Sequence, residues 1–252
     1  MIRSKLIFGG MIATLWLCLI AHAVLPQDPA PDLFAYGVPS LDYTLRGDFA
    51  ICFDGRTRCP RWTLEHINAA KLTKRANRDG MDFFADPDVP IEFASVPAEY
   101  ARTGYDLGHS AAAANHVSRK DLLKATFTVA NAMPQKPELN RGKWNQLEAA
   151  LRLTADKPYA DVWIITAPIW VPGRTIESIG ESKVWIPHFV GKAALISERG
   201  SVRLKAYVMP NEKCGDPLET YAVTVDAFER LVGIDVFAEL PDDEEKTLEA
   251  MK

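Results

Sequence analysis

The chain has 252 residues, of which 48% are hydrophobic and 25% are charged, an ordinary globular composition with room for one large domain or two small ones. A chain of this length buries enough surface to fold without a structural metal or a disulfide framework. Its formal net charge of −4 excludes a general, salt-driven affinity for polyanions spread over the whole surface, so any electropositive groove must be local.

The N-terminal segment predicts a signal peptide. Arg3 and Lys5 precede an uncharged stretch over residues 6–21, and an Ala-His-Ala triplet ends at Ala23. A basic start, an apolar centre and small residues at the end are typical of a secretory signal, here residues 1–23. One alternative is an uncleaved membrane anchor, since the apolar run approaches the ~20 residues that span a bilayer. A mitochondrial presequence is the least favoured alternative, because the segment is too apolar and lacks the amphipathic pattern rich in arginine and serine. The first interpretation predicts a secreted or periplasmic protein, and the second a membrane-anchored one.

The next segments predict a lead-in and a hairpin. Residues 24–46 contain several prolines and form an extended lead-in to the folded domain. Residues 47–53 and 61–67 alternate apolar and polar side chains, which predicts two paired strands. Cys52 and Cys59 flank the loop between them, and facing positions in a hairpin lie within disulfide range. We therefore expect a Cys52–Cys59 disulfide, with two free thiols as the alternative.

The candidate functional residues lie in one strand–loop–helix unit, residues 105–152. His109 follows Gly108 in a short turn, residues 126–130 predict a strand, and a polar loop that contains Asn131 comes next. The unit ends in a helix. Its core face is predicted by apolar side chains at helical spacing, which are Trp144, Leu147 and Leu151.

The polar side chains of this unit suit metal-assisted attack on a phosphodiester. A neutral His109 can accept a proton near pH 7, as a general base must. Asn140 begins the helix, so its side chain is either an N-cap or one oxygen ligand of Mg²⁺, and both roles stay open. Glu148 lies eight residues further on, which favours contact through a metal-bound water. Arg152 is either half of a surface ion pair with Glu148 or a phosphate clamp that this pair holds.

The remaining segments complete a mixed domain. Residues 160–169 and 202–209 each predict a strand, and residues 183–192 predict a strand pair. Thr224 is a good N-cap for a helix over residues 225–231, which Gly233 ends. Residues 241–252 are acidic and typical of a solvated tail. We predict one α+β domain over residues 47–240, with a central antiparallel sheet flanked by helices.

Several of these residues carry a resemblance to a known family. Its signature Asp-Arg-Gly-His stands here as Asp106-Leu107-Gly108-His109, followed by a small-residue run that ends in Ala-Asn-His at His116. Its later block, Asn-x-x-x-Trp-x-x-Leu-Glu, is matched by Asn140, Trp144, Leu147 and Glu148. Between them the family pattern is matched at Thr126, Phe127, Asn131, Pro134 and Gln135. The chain resembles the DNA/RNA non-specific endonucleases over most of its length, and within them the endonuclease G branch.

This resemblance implies a fold, an activity and partners. The fold is the ββα-metal (His-Me finger) fold. The activity is that of a sugar-non-specific endonuclease, which cuts DNA and RNA to 5′-phosphate ends with Mg²⁺, or with Mn²⁺ as an alternative ion. Members of the family are often homodimers, so a homodimer is expected here as well.

The resemblance also assigns roles to single residues. The implied catalytic set is His109 as general base, Asn131, Glu148 and Arg152. The direct metal ligand is Asn140, and Glu148 holds a metal-bound water. The implied substrate-binding set is Asp106, Arg152 and Arg78.

One position departs from the family signature, because Leu107 stands where the family has arginine. Leucine cannot make the bidentate phosphate contacts of a guanidinium. Losing one charge-assisted contact costs about 1.5–3 kcal/mol of binding, so we expect a weakened or differently tuned nuclease. The alternative is an inactive nucleic-acid-binding protein on the same fold. A substitute charge could come from Arg78, Arg102 or Arg119.

Overall fold

The computed structural model describes residues 33–251, apart from the side chains of residues 242 and 244. In chain order the strands are β1 Thr44–Arg46, β2 Phe49–Asp54, β3 Cys59–Asn68, β4 Asp106–His109, β5 Ala132–Gln135, β6 Ala160–Ile169, β7 Ser178–Ile179, β8 Val184–Trp185, β9 Phe189–Glu198, β10 Ser201–Pro210 and β11 Ala222–Val223. The α-helices are α1 Ala69–Leu72, α2 Lys120–Ala125, α3 Asn145–Ala155, α4 Val225–Val232 and α5 Asp242–Glu249.

A seven-stranded antiparallel sheet in the order β1-β2-β3-β6-β9-β10-β11 divides the domain into two cores. The α3-side core includes Ile67, Trp144, Leu147, Leu151, Val162, Ile164 and Ala194. The α4-side core includes Trp62, Leu64, Trp163, Ile165, Leu195 and Phe228. Because successive side chains of a strand point to opposite faces, the apolar run of β6 feeds both cores. The predicted α+β class, the doubly buried strand and the core face of the helix are confirmed.

The hairpin of β4 and β5 is separate from this sheet and precedes α3. The second strand of the hairpin is not where the sequence placed it, because residues 126–130 are not a strand. Thr126 ends α2, and the Thr128 side chain accepts the N–H of Ala130 and so caps a 3-10 turn over Val129–Asn131. Short polar side chains that bond to nearby backbone favour turns over strands, and β5 therefore starts only at Ala132.

The predicted Cys52–Cys59 disulfide is wrong, and both cysteines are free and buried. In the register of the hairpin Cys52 faces Trp62, whereas Cys59 faces Asp54 beyond a bulge between Cys52 and Phe53. Cys59 lies three residues from Trp62, and side chains alternate along a strand, so the two cysteines point to opposite faces of the sheet. The two thiols consequently lie in different cores, Cys52 on the α4 side and Cys59 on the α3 side. Burial raises the pKa of the Cys52 thiol to about 11, which keeps it protonated and unreactive near pH 7.

The ends of the domain differ from the predicted lead-in and tail. Leu33 and Tyr36 pack against the α4-side core, and β1 adds an edge strand to the sheet. At the other end the acidic segment forms α5, whose Leu248 packs against the same core. The predicted signal peptide or anchor over residues 1–23 lies outside the described residues. Within residues 33–251, no helix has the length and apolar character to cross a membrane.

Candidate active site

The β4–β5 hairpin carries the candidate base at one end and a carboxylate at the other. Its register pairs His109 with Ala132 and Asp106 with Gln135. The Gln135 side chain lies over Gly108, so that a Cβ there would be 1.9 Å from its side-chain oxygen. Glycine leaves the space that the Gln135 side chain fills.

His109 packs against two aromatic rings. Its ring centroid lies 4.6 Å from that of Phe83 and 5.1 Å from that of Phe127. Burial and, after it, nearby cations such as Arg78 together lower the pKa of His109 to about 3. The Nε2 atom is buried and has no hydrogen-bond partner among the described residues. The imidazole is thus neutral near pH 7 and keeps one ring nitrogen available for an incoming group.

Asn131 holds the loop that follows His109. Its side-chain oxygen accepts the N–H of Ala111 at 2.8 Å, and its nitrogen donates to the carbonyls of Ala111 and Thr126, both at 2.9 Å. The N–H of Ser110 donates to the carbonyl of Asn131 at 2.8 Å. Asn131 has 0% of its surface exposed, so its contacts support a role in positioning the loop after His109. Its place in the catalytic set stays a prediction.

Asn140 is not the N-cap of a helix. It lies within a wide helical turn, Leu139–Trp144, which is kinked at Gly142 and leads into α3. Its side-chain nitrogen donates to Asp106 Oδ2 at 3.0 Å. A carboxylate only accepts hydrogen bonds, so this contact fixes which end of the amide is the NH₂ group. The amide oxygen faces away from Asp106 and is free to act as a ligand.

Asp106 is also bound by Arg141, whose Nε and Nη2 donate to the two carboxylate oxygens at 2.8 and 2.6 Å. Burial alone would raise the pKa of Asp106, but the hydrogen bonds from Arg141 and Asn140 lower it below its ordinary value. An ionised carboxylate repels phosphate and has no donor to offer it. These contacts support a role for Asp106 in orienting Asn140, and its substrate-binding role stays a prediction.

Glu148 and Arg152 follow on α3 but do not form the ion pair that their spacing predicted. Arg152 Nη1 donates to Asn115 Oδ1 at 3.2 Å, whereas Glu148 Oε1 lies 3.7 Å from Lys192 Nζ. Burial raises the pKa of Glu148, the Lys192 ammonium counteracts this, and the buried carboxylate of Glu65 adds to the rise. Arg152 retains N–H donors after its contact with Asn115, as binding to a phosphate requires.

Arg78 stacks on a ring beside the candidate base. Its guanidinium carbon lies 5.1 Å from the centroid of Phe127, and the side chain is exposed. Arg119 is instead paired with Asp121, and Arg102 stands in a turn with a φ of 60°. Of the three arginines considered as substitutes for the missing signature residue, Arg78 is the one that contacts Phe127, the ring that packs against His109.

Sequence reasoning missed a buried charge network beneath these residues. His116 is bonded through Nδ1 to Asp48 at 2.6 Å and through Nε2 to Glu65 at 3.1 Å. Burial would lower the pKa of His116, but the two carboxylates raise it to about 9. Glu65 also accepts from Asn115 at 2.9 Å. The available signal was a charged residue inside an otherwise apolar strand, Glu65 in β3 and Lys192 in β9, because such residues stay buried only when paired.

These contacts link the predicted site residues through the buried network and the hairpin. Glu148 and the residue after His109 share Lys192, and Asn140 is bound to the first residue of β4. A hairpin with a histidine, followed by a helix with an asparagine, defines the class of ββα-metal nucleases. The family model of DNA/RNA non-specific endonucleases matches residues 30–243, and the chain belongs to this family. It is accordingly a nuclease, a hydrolase of phosphodiester bonds, and its substrate is nucleic acid.

Particular relatives support the same assignment. Mitochondrial endonuclease G of Bos taurus is 33% identical over 245 residues, which are 89% of this chain and 82% of that protein. The mitochondrial nuclease EXOG of Homo sapiens is 32% identical, over 76% of this chain and 55% of that protein. The crystal structure of an EndoG/EndoGI complex superposes with a TM-score of 0.81 at 30% identity, and covers 85% of this chain and 94% of that one.

The predicted location is corrected by these relatives. Endonuclease G of Bos taurus and of Homo sapiens, and EXOG of Xenopus laevis, all carry the word mitochondrial in their names. The prediction of a secreted, periplasmic or membrane-anchored protein relied on the composition of the N-terminal segment alone. Composition is a weak guide to compartment, because targeting segments are addresses that receptors read.

Proposed function

We propose that this protein is a Mg²⁺-dependent endonuclease that cuts both DNA and RNA and leaves 5′-phosphate ends. His109 is the general base and Asn140 the direct protein ligand of the metal, with Mn²⁺ as an alternative ion. The observation that carries the proposal is the neutral imidazole of His109, whose buried Nε2 atom has no partner in the described part of the chain. A buried polar atom of this kind is satisfied when a water or a substrate group enters the site.

The residues present fit a hard divalent cation. Mg²⁺ takes oxygen ligands and uses few protein groups. Asn140 offers an amide oxygen because its nitrogen is committed to Asp106, and the Glu148 carboxylate is 14% exposed. When bound, the ion would neutralise the negative charge that develops on the phosphate and on the leaving oxygen.

His109 takes a proton from the attacking water in this proposal. A base with a pKa of about 3 is weak near pH 7, but a bound phosphate places negative charge beside the ring, and negative charge raises the pKa of an imidazole. The packing against Phe83 and Phe127 restricts the tilt of the ring. A fixed ring orientation favours proton transfer along one direction.

Arg152 and Arg78 supply positive charge for the phosphate backbone. Arg152 is bound to Asn115, and Arg78 lies over the Phe127 ring. A guanidinium has five N–H donors, so both keep donors for phosphate oxygens. Because the net charge is −4, these local cations rather than the whole surface attract the substrate.

The homodimer stays a prediction, which sedimentation of the purified protein would test.

Nicking of supercoiled plasmid and digestion of RNA test the proposed function. The wild-type protein should cut both with Mg²⁺ and stop cutting when EDTA is added. His109→Ala should lower turnover by a factor of about 10²–10⁴, while nucleic-acid affinity measured in EDTA persists. His188→Gln is the matched control, because the His188 ring is bonded to the backbone of Val171 and Thr175 and has no part in the proposed chemistry.

Two results would change this conclusion. A His109→Ala variant that cuts plasmid at the wild-type rate would refute the assignment of the base. A wild-type protein that binds nucleic acid but shows no EDTA-sensitive cutting would favour the alternative of a binding protein disabled at Leu107.

A further inference from the structure

A lysine is buried beneath the candidate active site, on the central strand β9. Lys192 is 1% exposed and pairs across the sheet with Thr166 of β6, which pairs in turn with Thr63 of β3. Since side chains alternate along a strand, Lys192 points to the same face as Val190 and Ala194 of the α3-side core. Its ammonium group is thus directed away from bulk solvent and toward α3 and the β4 loop.

The ammonium of Lys192 contacts groups from three directions. It donates to Thr166 Oγ1 at 2.7 Å and to the carbonyl of Ser110 at 3.0 Å. It lies 3.7 Å from Glu148 Oε1 and 3.8 Å from Glu65 Oε1. The sheet, the residue after His109 and the carboxylate of α3 therefore meet at one cation.

Charge pairing explains why a lysine is tolerated at this depth. An unpaired ammonium in the interior would be strongly unfavourable, and so would two facing carboxylates without a cation between them. Glu65 has 0% of its side chain exposed and Glu148 has 14%, so water screens their mutual repulsion only weakly. Lys192 compensates both carboxylates and so determines where the Glu148 side chain can lie.

We propose that Lys192 is a positioning residue for the nuclease reaction, which ties the strand end that carries His109 and the Glu148 carboxylate to the central sheet. The inference rests on the proposed function, because it assigns Glu148 to the metal side of the site and His109 to the base. Lys192 touches neither the substrate nor the metal. It acts through Ser110 and Glu148, and its loss should weaken the metal site more than the binding of nucleic acid.

Lys192→Met tests the inference, because methionine keeps most of the side-chain volume and removes the charge. The Mg²⁺ dissociation constant, measured by calorimetry and by the shift in melting temperature, should rise about 10–100-fold, as is typical when a group that orients a metal ligand is lost. Nucleic-acid affinity in EDTA, measured by fluorescence anisotropy, should stay unchanged. Lys71→Met is the matched control, because the Lys71 ammonium contacts His66 instead; this variant should keep the wild-type Mg²⁺ constant.

A second variant covers the case in which Lys192→Met does not fold, since removing one partner of a buried ion pair destabilises proteins. Thr166→Val removes a single hydrogen bond to the ammonium and should raise the Mg²⁺ constant in the same direction by a smaller factor. Folded variants with the wild-type Mg²⁺ constant, or a loss of melting temperature with no change in that constant, would overturn the role of Lys192. If the wild-type protein neither binds Mg²⁺ nor cuts plasmid, the proposed function itself fails.

Discussion

At the scale of single residues, we expect Leu107 to change the affinity of the site for nucleic acid without removing the groups that react. It pairs with Pro134 in the hairpin and packs against the α3-side core, so the missing guanidinium is replaced by apolar burial. On either side of Leu107, the Nε2 atom of His109 has no partner among the described residues, and the Asn140 side chain is bound to Asp106. We therefore expect the departure from the family signature to lower substrate affinity and to leave the chemistry intact.

Restoring the signature residue tests this account. Leu107→Arg should tighten binding to nucleic acid about 10-fold or more, since one charge-assisted hydrogen bond contributes about 1.5–3 kcal/mol. Fluorescence anisotropy with a short duplex in EDTA measures the affinity, and plasmid nicking with Mg²⁺ measures the rate.

The control for Leu107→Arg is Leu41→Arg, which adds the same charge at a side chain that is 87% exposed. This variant separates a contact at the site from a general rise in net charge. Unaltered affinity and cleavage in Leu107→Arg would contradict the expectation that Leu107 lowers substrate affinity.

At the scale of elements, the spacing of apolar residues predicted the strands and helices that pack in the core. Hydrogen bonds from polar side chains to nearby backbone determined the turns, which that spacing does not show. The apolar repeat of α3 and the apolar run of β6 were recognisable because burial imposes a spacing on sequence. The strand predicted at residues 126–130 failed because Thr128 and Asn131 bond to nearby backbone and form a turn. The disulfide failed because the hairpin register, which no local pattern marked, pairs Cys52 with Trp62, and Cys59 lies three residues from Trp62 on the opposite face of the sheet.

The candidate site divides in the same way. His109 and Asn140 could be predicted as site residues because each stands in a short motif with a fixed spacing. Lys192 and Glu65 were missed because they come together only through the pairing of β3, β6 and β9. The register between strands that are far apart in the chain cannot be read from the sequence. The orientation of Asn140 by Asp106 was equally invisible, because it depends on the kinked turn before α3.

The tight contact inside the hairpin gives a prediction at this scale. Gly108→Ala places a Cβ 1.9 Å from Gln135 Oε1 and 2.4 Å from its Cδ, so β4 and β5 must separate or the Gln135 side chain must leave its buried position. Overpacking of this kind costs about 1–3 kcal/mol, and nuclease activity should fall with it. Urea unfolding and plasmid nicking measure the two effects.

The control for Gly108→Ala is Gly215→Ala, because a Cβ at Gly215 meets no atom within 4 Å. It should leave both stability and activity unchanged. If Gly108→Ala behaves like this control, the hairpin is less closely packed than its geometry indicates.

At the scale of the whole molecule, the interior holds charges that a compact apolar core would exclude. Glu65, His116 and Lys192 each have no more than 1% of their surface exposed, and Asp48 closes the network from the side of β2. Removing a single member would leave a buried charge uncompensated, so the network ties the stability of the fold to the protonation of its titratable members.

His116 makes this dependence measurable on the alkaline side. Its pKa is raised from 6.5 to about 9 in the folded protein, so between these values the folded state holds a proton that the unfolded chain releases. The resulting stabilisation is fully present below pH 6.5 and is lost as the pH rises through about 9, and it amounts to about 3 kcal/mol at about 1.4 kcal/mol for each pKa unit. The free energy of unfolding in urea should therefore decrease between pH 6.5 and pH 9.5 by roughly this amount.

His116→Gln should be less stable at neutral pH and should lack this part of the decrease, whereas His188→Gln should retain it. Parallel pH curves for the wild type and His116→Gln would show that His116 does not carry the bound proton.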